Sequence, residues 1–314
     1  MYSVLILGAT GTIGSKISHE LSVQKSKFQR AAFLTPLSDA GPKKEDRYAK
    51  VGLERVVGSL SDSASYTGFD IVISAVGDDL CAQQHEFIDA AFKGGVKHFV
   101  PGECKYSLHG SDMAHPKCRD EAYFKDKVAT RRHLEKRIQE DPELGYTYVM
   151  VREPFLVSSK VGLFSEYFFE YNILGLSEDK KSATFIGDPE ARLTTTLSTD
   201  VAKFLIASLL PSHLPSLVGA RELKVEGSTL AIRELFQEVE KYTGSLDIKY
   251  INTEESFAIA EEQERLGNVF PAKFVSAQRA LGFGGSENVG VVNNDYPEIT
   301  AMKWAETVKR YLGH

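Results

Sequence analysis

The sequence predicts an α/β protein built on a doubly wound parallel sheet, followed by a smaller mixed α/β C-terminal lobe. Three observations carry this expectation. Short apolar runs alternate with helix-like segments through the first half of the chain. Glycine, proline or serine punctuates the joints between them. The first run opens straight into glycines at regular spacing and then into a helical pattern. Alternation of this kind means βαβ units and a sheet covered on both faces.

The elements follow in order. Val4 to Leu7 reads as a strand ending in glycines, and Thr12 to Val23 as a helix. Ala31 to Leu34 is a second strand, followed by a loop that carries Lys43 and Lys44. Val56-Val57 is a third strand, stopped by Gly58, with Ser61-Asp62 as a helix start. Ile71 to Val76 is a fourth apolar run. Cys81 to Gly94 is a helix, with Phe87, Ile88, Ala91 and Phe92 at helical spacing. Val96 to Val100 is a fifth strand, ended by Pro101-Gly102, Glu121 to Gln139 a long helix and Tyr146 to Val151 a sixth strand. After Arg152 the rhythm changes. Phe155, Phe164 and Phe168 belong to an aromatic-rich stretch that either lines a substrate pocket or fills a core. Thr199 to Leu210, Ile232 to Tyr242, Glu254 to Leu266 and Ile299 to Leu312 read as helices.

The chain has 314 residues, more than one core usually supports. We therefore divide it at 152/153, with 199–210 expected to pack back on the first domain. A net charge of −6 argues against nucleic acid, whose phosphates call for a basic surface. The three cysteines, Cys81, Cys104 and Cys118, form no disulfide framework and no CxxC pair, which fits a reducing compartment. The first strand begins almost at Met1, so no signal peptide or membrane span is read, and a cytoplasmic location is expected. No His/Cys/Asp cluster has metal-ligand spacing, so no metal is expected. A homodimer remains open.

The glycine-spaced turn is Gly8-Ala9-Thr10-Gly11-Thr12-Ile13-Gly14, a GxxGxxG variant of the dinucleotide fingerprint. The first glycine permits a tight turn, the second a close approach of backbone to pyrophosphate, and the third close packing of helix on strand. The helix N-terminus adds unpaired N–H groups and partial positive charge. This context makes the first domain a Rossmann-type dinucleotide-binding domain. The second strand ends in Thr35-Pro36, without the acid that would bind a ribose 2′-hydroxyl. Lys43 and Lys44 follow and reach toward a 2′-phosphate, or else are solvated loop charges. NADP is the expected cofactor.

Tyr123 and Lys127 stand at i and i+4 where the long helix opens, so they share a face. An ammonium beside a phenol favours phenolate, which suits a tyrosine that hands a proton to a carbonyl oxygen. His98, next to Phe99 in a strand, reads as structural, and His85 as solvated helix surface.

At this point the chain resembles the NmrA-like, isoflavone-reductase-like family of atypical short-chain dehydrogenases, which includes phenylcoumaran benzylic ether and pinoresinol reductases. The resemblance spans nearly the whole chain. It rests on the glycine turn, Asp70 to Gly77, Gly95 to Glu103, Lys127 ahead of Arg131-Arg132-His133-Leu134-Glu135, Tyr146 to Val149, and Tyr296-Pro297-Glu298. It implies NADPH and hydride transfer to an aromatic or polyketide-like small molecule. It places the family's lysine at Lys127 and cofactor contacts at Gly8, Thr10, Gly11, Thr12, Ile13, Gly14, Ala75, Val76, Gly77, Pro101 and Gly102. Two positions depart from the family. Its basic residue after the second strand is Thr35 here, and its serine after the fifth-strand proline is Gly102, so a hydroxyl partner is lost or comes from Ser107 or Ser111. The family also holds members that sense the dinucleotide without turnover, and a cofactor-using isomerase or cyclase is a further alternative. The pair Tyr123 and Lys127 favours a reductase.

Overall fold

A computed structural model describes residues 1–36, 42–77, 79–102, 125–150, 163–268, 275, 278–279, 281–282 and 291–313. Two compact units divide the chain. The first comprises Met1–Cys104, Asp126–Val149 and Val201–Leu223, and the second the remainder.

In the first unit, β1 (Ser3–Leu7) is a buried run whose Val4, Leu5, Ile6 and Leu7 have no exposed surface. It leads into α1 (Thr12–Val23), whose Ile13, Ile17 and Leu21 recur on one buried face. β2 (Arg30–Thr35), α2 (Pro42–Ala49), β3 (Glu54–Val57), β4 (Ile71–Ser74), α3 (Gln84–Lys93), β5 (His98–Val100), α4 (Lys125–Glu140) and β6 (Gly145–Met150) follow. The segment expected as a loop after the second strand is thus helical over Pro42–Ala49. Proline at the first helical position costs no hydrogen bond and fixes the starting φ, while the helix lacks the apolar spacing that announces α1.

Every residue pairing between neighbours from β3 through β2, β1, β4 and β5 to β6 is parallel. The next elements are β7 (Leu163–Phe164), α5 (Tyr167–Glu170), β8 (Ser182–Ile186), β9 (Arg192–Thr196), α6 (Ser198–Ser208) and β10 (Gly219–Lys224). With β10 the main sheet has seven strands in the order β10-β6-β5-β4-β1-β2-β3. The order reverses between β1 and β4, the switch point beyond whose carboxyl ends such sheets hold their ligands. Val201, Phe204, Leu205 and Ile206 of α6 are fully buried. Each large apolar side chain so buried contributes about 1.5–3 kcal/mol.

The second unit is mixed. It adds β11 (Ser228–Ala231), α7 (Ile232–Thr243), β12 (Asp247–Ile251), α8 (Glu255–Arg265) and α9 (Trp304–Leu312). β8 pairs in parallel with β12, while β9 lies between antiparallel β11 and parallel β7. Two N3 glutamates fix helix starts: Glu234 accepts from the Ala231 N–H at 2.7 Å and Glu306 from the Lys303 N–H at 2.8 Å. The second bond explains why the last helix begins at Trp304 and not at Ile299. α7 stops at Gly244, whose φ of 80° suits glycine. Trp304 anchors this unit. It meets Phe168 edge-on at 5.2 Å and Phe169 stacked at 5.5 Å, and its indole N–H donates to the Leu235 carbonyl at 3.1 Å. No helix among the described residues is long and apolar enough to cross a membrane.

Candidate dinucleotide site

The glycine turn sits at the switch point. Gly8, directly after β1, has φ of 76°, and a Cβ there would stand 2.5 Å from the Ala75 carbonyl oxygen. Backbone conformation and close approach both exclude a side chain. The Gly11 N–H donates to the Gly8 carbonyl at 3.0 Å and closes the turn. A Cβ on Gly14 would lie 2.0 Å from the Gly8 oxygen, so helix and strand touch there. Gly11 is different. Its backbone is extended (φ −72°, ψ 178°), and the nearest atom to a Cβ would be 3.3 Å away. The fold demands glycine less strictly at 11 than at 8 or 14, whereas a ligand lying against that backbone would exclude a side chain.

Thr12, Ile13 and Gly14 form the first turn of α1, whose N–H groups lack intrahelical acceptors. Gly11 supplies no side-chain cap, and the turn holds no acidic residue. This end of the helix therefore suits an anion. The pyrophosphate of a dinucleotide fits these residues: an uncapped helix start, and a glycine where a Cβ would fill the approach. The Ala75 N–H continues the sheet pairing to the Leu7 carbonyl at 2.8 Å. Val76 and Gly77 follow with increasing exposure beside the turn.

At the end of β5, Pro101 is buried and the Gly102 N–H donates to Gln84 Oε1 at 2.7 Å. Gln84 is fully buried, and its Nε2 reaches Thr130 Oγ1 at 3.4 Å. Thr130 in turn donates to the Asp126 carbonyl at 3.0 Å. This chain of bonds ties the 101–102 turn to the first turn of α4, where Lys127 stands. A Cβ on Gly102 would come within 3.1 Å of Gln84 Oε1 and 3.4 Å of Ser74 Oγ. These two side chains occupy the space a serine at 102 would need. Ser74 Oγ itself is buried, with no hydrogen-bond partner among the described residues.

Thr35 closes β2 as a buried residue, and its Oγ1 accepts from Arg55 Nε at 2.9 Å. Arg55 also donates from Nη1 to Glu45 at 2.6 Å and lies 4.6 Å above the Tyr48 ring. Arg47, on α2, donates to the Thr10 carbonyl at 2.8 Å. Neither arginine is among the residues that the sequence singles out. Arg47 was legible as the residue four after Lys43, on the same helix face, once 42–49 is read as a helix. Arg55 carried no signal.

Tyr123 and Phe155, like Ser107 and Ser111, lie outside the described residues, as do the side chains of Lys43, Lys44 and Lys127. Phe164 and Phe168 have no exposed surface, and their rings meet Tyr167 and Trp304. His98 is buried between the Leu217 carbonyl at 2.8 Å and Thr147 Oγ1 at 2.7 Å. Burial pushes its pKa down to about 4, against weaker support from the Leu217 carbonyl. His85 is exposed, edge-on to His133 at 6.0 Å. Among the described residues no group of three His, Cys, Asp or Glu is placed to hold a metal ion.

The sheet order and the glycine turn at its switch point define a Rossmann-type α/β protein. The sequence profile of the NmrA-like family matches residues 2–265, and the chain belongs to that family. It is 25% identical over 300 residues to the oxidoreductase aprR of Aspergillus flavus, covering 90% of this chain and 89% of that protein. The fold is similar to isoflavone reductase (TM-score 0.74, 22% identity, 99% of both chains). It is also similar to leucoanthocyanidin reductase of Vitis vinifera with NADPH (TM-score 0.73, 20% identity, 99% of this chain and 100% of that one). A third is AtPrR2 with NADP+ and (+)pinoresinol (TM-score 0.72, 20% identity, 99% of this chain and 98% of that one). At these identities the likeness is one of fold.

Proposed function

We propose that this protein is an NADP-dependent reductase acting on a small aromatic or secondary-metabolite carbonyl or activated double bond. The observation that carries the reading is Gly11 at the uncapped start of α1, a glycine that the fold demands less strictly than Gly8 or Gly14. The solved relatives with NADPH or NADP+ and the A. flavus oxidoreductase support it.

Bound NADPH supplies the hydride. Gly8 to Gly14 receive the pyrophosphate, Ala75 to Gly77 and Pro101-Gly102 border the same cofactor, and Thr35 with Lys43 and Lys44 faces the adenosine ribose. Lys127 holds the nicotinamide ribose and keeps positive charge beside Tyr123. That charge favours the phenolate left after Tyr123 gives its proton to the substrate oxygen. Residues 1–152 carry the cofactor and 153–314 the substrate. Phe155 is the aromatic assigned to the substrate, and Phe164 and Phe168 belong to the core of the same lobe.

The test is NADPH oxidation followed at its absorbance with a panel of aromatic ketones and enones. Turnover of any member with wild type, lost in Lys127→Ala, is the expected result. Tight NADPH binding with no turnover across the panel would instead favour a sensor or a redox-neutral enzyme.

A further inference from the structure

The adenosine end of the same site carries an inference beyond the lysines, and it rests on the NADP reading above. Two guanidiniums from different elements border the glycine turn and the end of β2. Arg47 reaches across from α2 to the Thr10 carbonyl at 2.8 Å. Arg55 rises from β3 to Thr35 Oγ1, at the end of β2, at 2.9 Å. β1 and β2 run parallel with Leu7 opposite Leu34, so Thr10 and Thr35 mark the two banks of one trough. A ribose anchored by a pyrophosphate at Gly11 lies over this trough.

One carboxylate, Glu45, bonds Arg55 Nη1 at 2.6 Å, and its side chain is half exposed. Glu45 and Arg47 both belong to α2, so the helix brings one acid and one base to the same trough. An exposed carboxylate on arginine contributes little net stability and exchanges readily for a stronger anion. A phosphate is such an anion, because it offers a guanidinium charge-assisted and bidentate hydrogen bonds.

We propose that Arg47 and Arg55 read the 2′-phosphate of the dinucleotide, and that Glu45 is the carboxylate this phosphate displaces from Arg55. Arg55 thereby takes over from β3 the task that Thr35 cannot perform. Glu45 sets the strength of the preference by competing for the same guanidinium.

The experiment compares adenosine 2′,5′-bisphosphate with 5′-AMP by calorimetry on the full chain, with NADP+ and NAD+ as reference ligands. Wild type should bind the bisphosphate about tenfold or more tightly than 5′-AMP. Arg47→Ala and Arg55→Ala should each bring that ratio toward unity by weakening the bisphosphate alone. Arg55→Lys should recover only part of it, since the fork is lost. Glu45→Gln should raise bisphosphate affinity and leave 5′-AMP unchanged. Circular dichroism identifies any variant that fails to fold. Arg47 is exposed, so its variant keeps the test open if the Arg55 variants unfold. An unchanged ratio in Arg47→Ala and Arg55→Ala overturns the inference, and NADP+ binding by wild type would still leave the dinucleotide reading standing. Weaker 5′-AMP and NAD+ binding in Glu45→Gln would make Glu45 a ribose acceptor and also overturn it. If wild type binds neither NADP+ nor NAD+, the dinucleotide reading itself fails.

Discussion

The three glycines of the turn, Gly8, Gly11 and Gly14, carry different burdens, and substitution separates them. At Gly14 a Cβ would lie 2.0 Å from a backbone oxygen, so neither neighbour can yield without moving helix from strand. Gly14→Ala should therefore lower the melting temperature, by an amount matching the 1–3 kcal/mol usual for overpacking. Gly11→Ala, in extended backbone with its Cβ 3.3 Å from the Gly8 carbonyl oxygen, should lower melting by less than Gly14→Ala. Thermal unfolding followed by circular dichroism checks the contrast. Among the residues proposed for proton handling, Lys127→Ala should cut turnover by about 10²-fold or more. Tyr123→Phe should cut turnover while NADPH affinity holds, which steady-state kinetics beside a binding titration would show. A silent Tyr123→Phe would move the proton donor to Lys127 or water.

At the scale of elements, His98 is the buried tie between β5, β6 and the turn at Leu217. Its pKa in the folded chain lies near 4, below the ordinary 6.5, so at intermediate pH the unfolded chain binds the proton and the folded chain does not. The stability is fully present above pH 6.5 and is lost as pH falls toward 4, on the order of 3 kcal/mol across that window. Urea unfolding at pH 7 and pH 4.5 should show this loss, and His98→Asn should show a smaller one. Gln84 is the second such bridge. Gln84→Leu leaves the Gly102 N–H without its acceptor inside the protein, at a cost of about 1–3 kcal/mol. Elements differed in legibility for physical reasons. β1, β4 and α1 announce themselves because Val, Ile and Leu recur on their buried faces at the right period. α2 was read as a loop because its stability does not come from an apolar stripe. β9, with Thr194 to Thr196 buried, was missed because its core positions are threonines. Tertiary partners satisfy those hydroxyls, Thr229 for Thr194 at 2.6 Å and the Gly227 N–H for Thr196 at 3.1 Å, and no local pattern reveals them.

At the scale of the molecule, the parallel sheet with its switch point between β1 and β4 follows from the alternation of runs in the sequence, and so does the position of the glycine turn. The charged trough beside it does not follow, because Arg55 and Thr35 are 20 residues apart and meet only through strand pairing. The aromatic stretch was ambiguous for the same kind of reason: helical spacing is shared by core and pocket, and only the fold shows Phe168 packed on Trp304. The proposed activity requires that a dinucleotide bind at the glycine turn. The most direct test is calorimetric titration of NADPH into wild type and into Gly11→Leu, with circular dichroism confirming that both are folded. Binding by wild type and its loss in a folded Gly11→Leu is the predicted result; equal affinity in the two proteins would contradict the account.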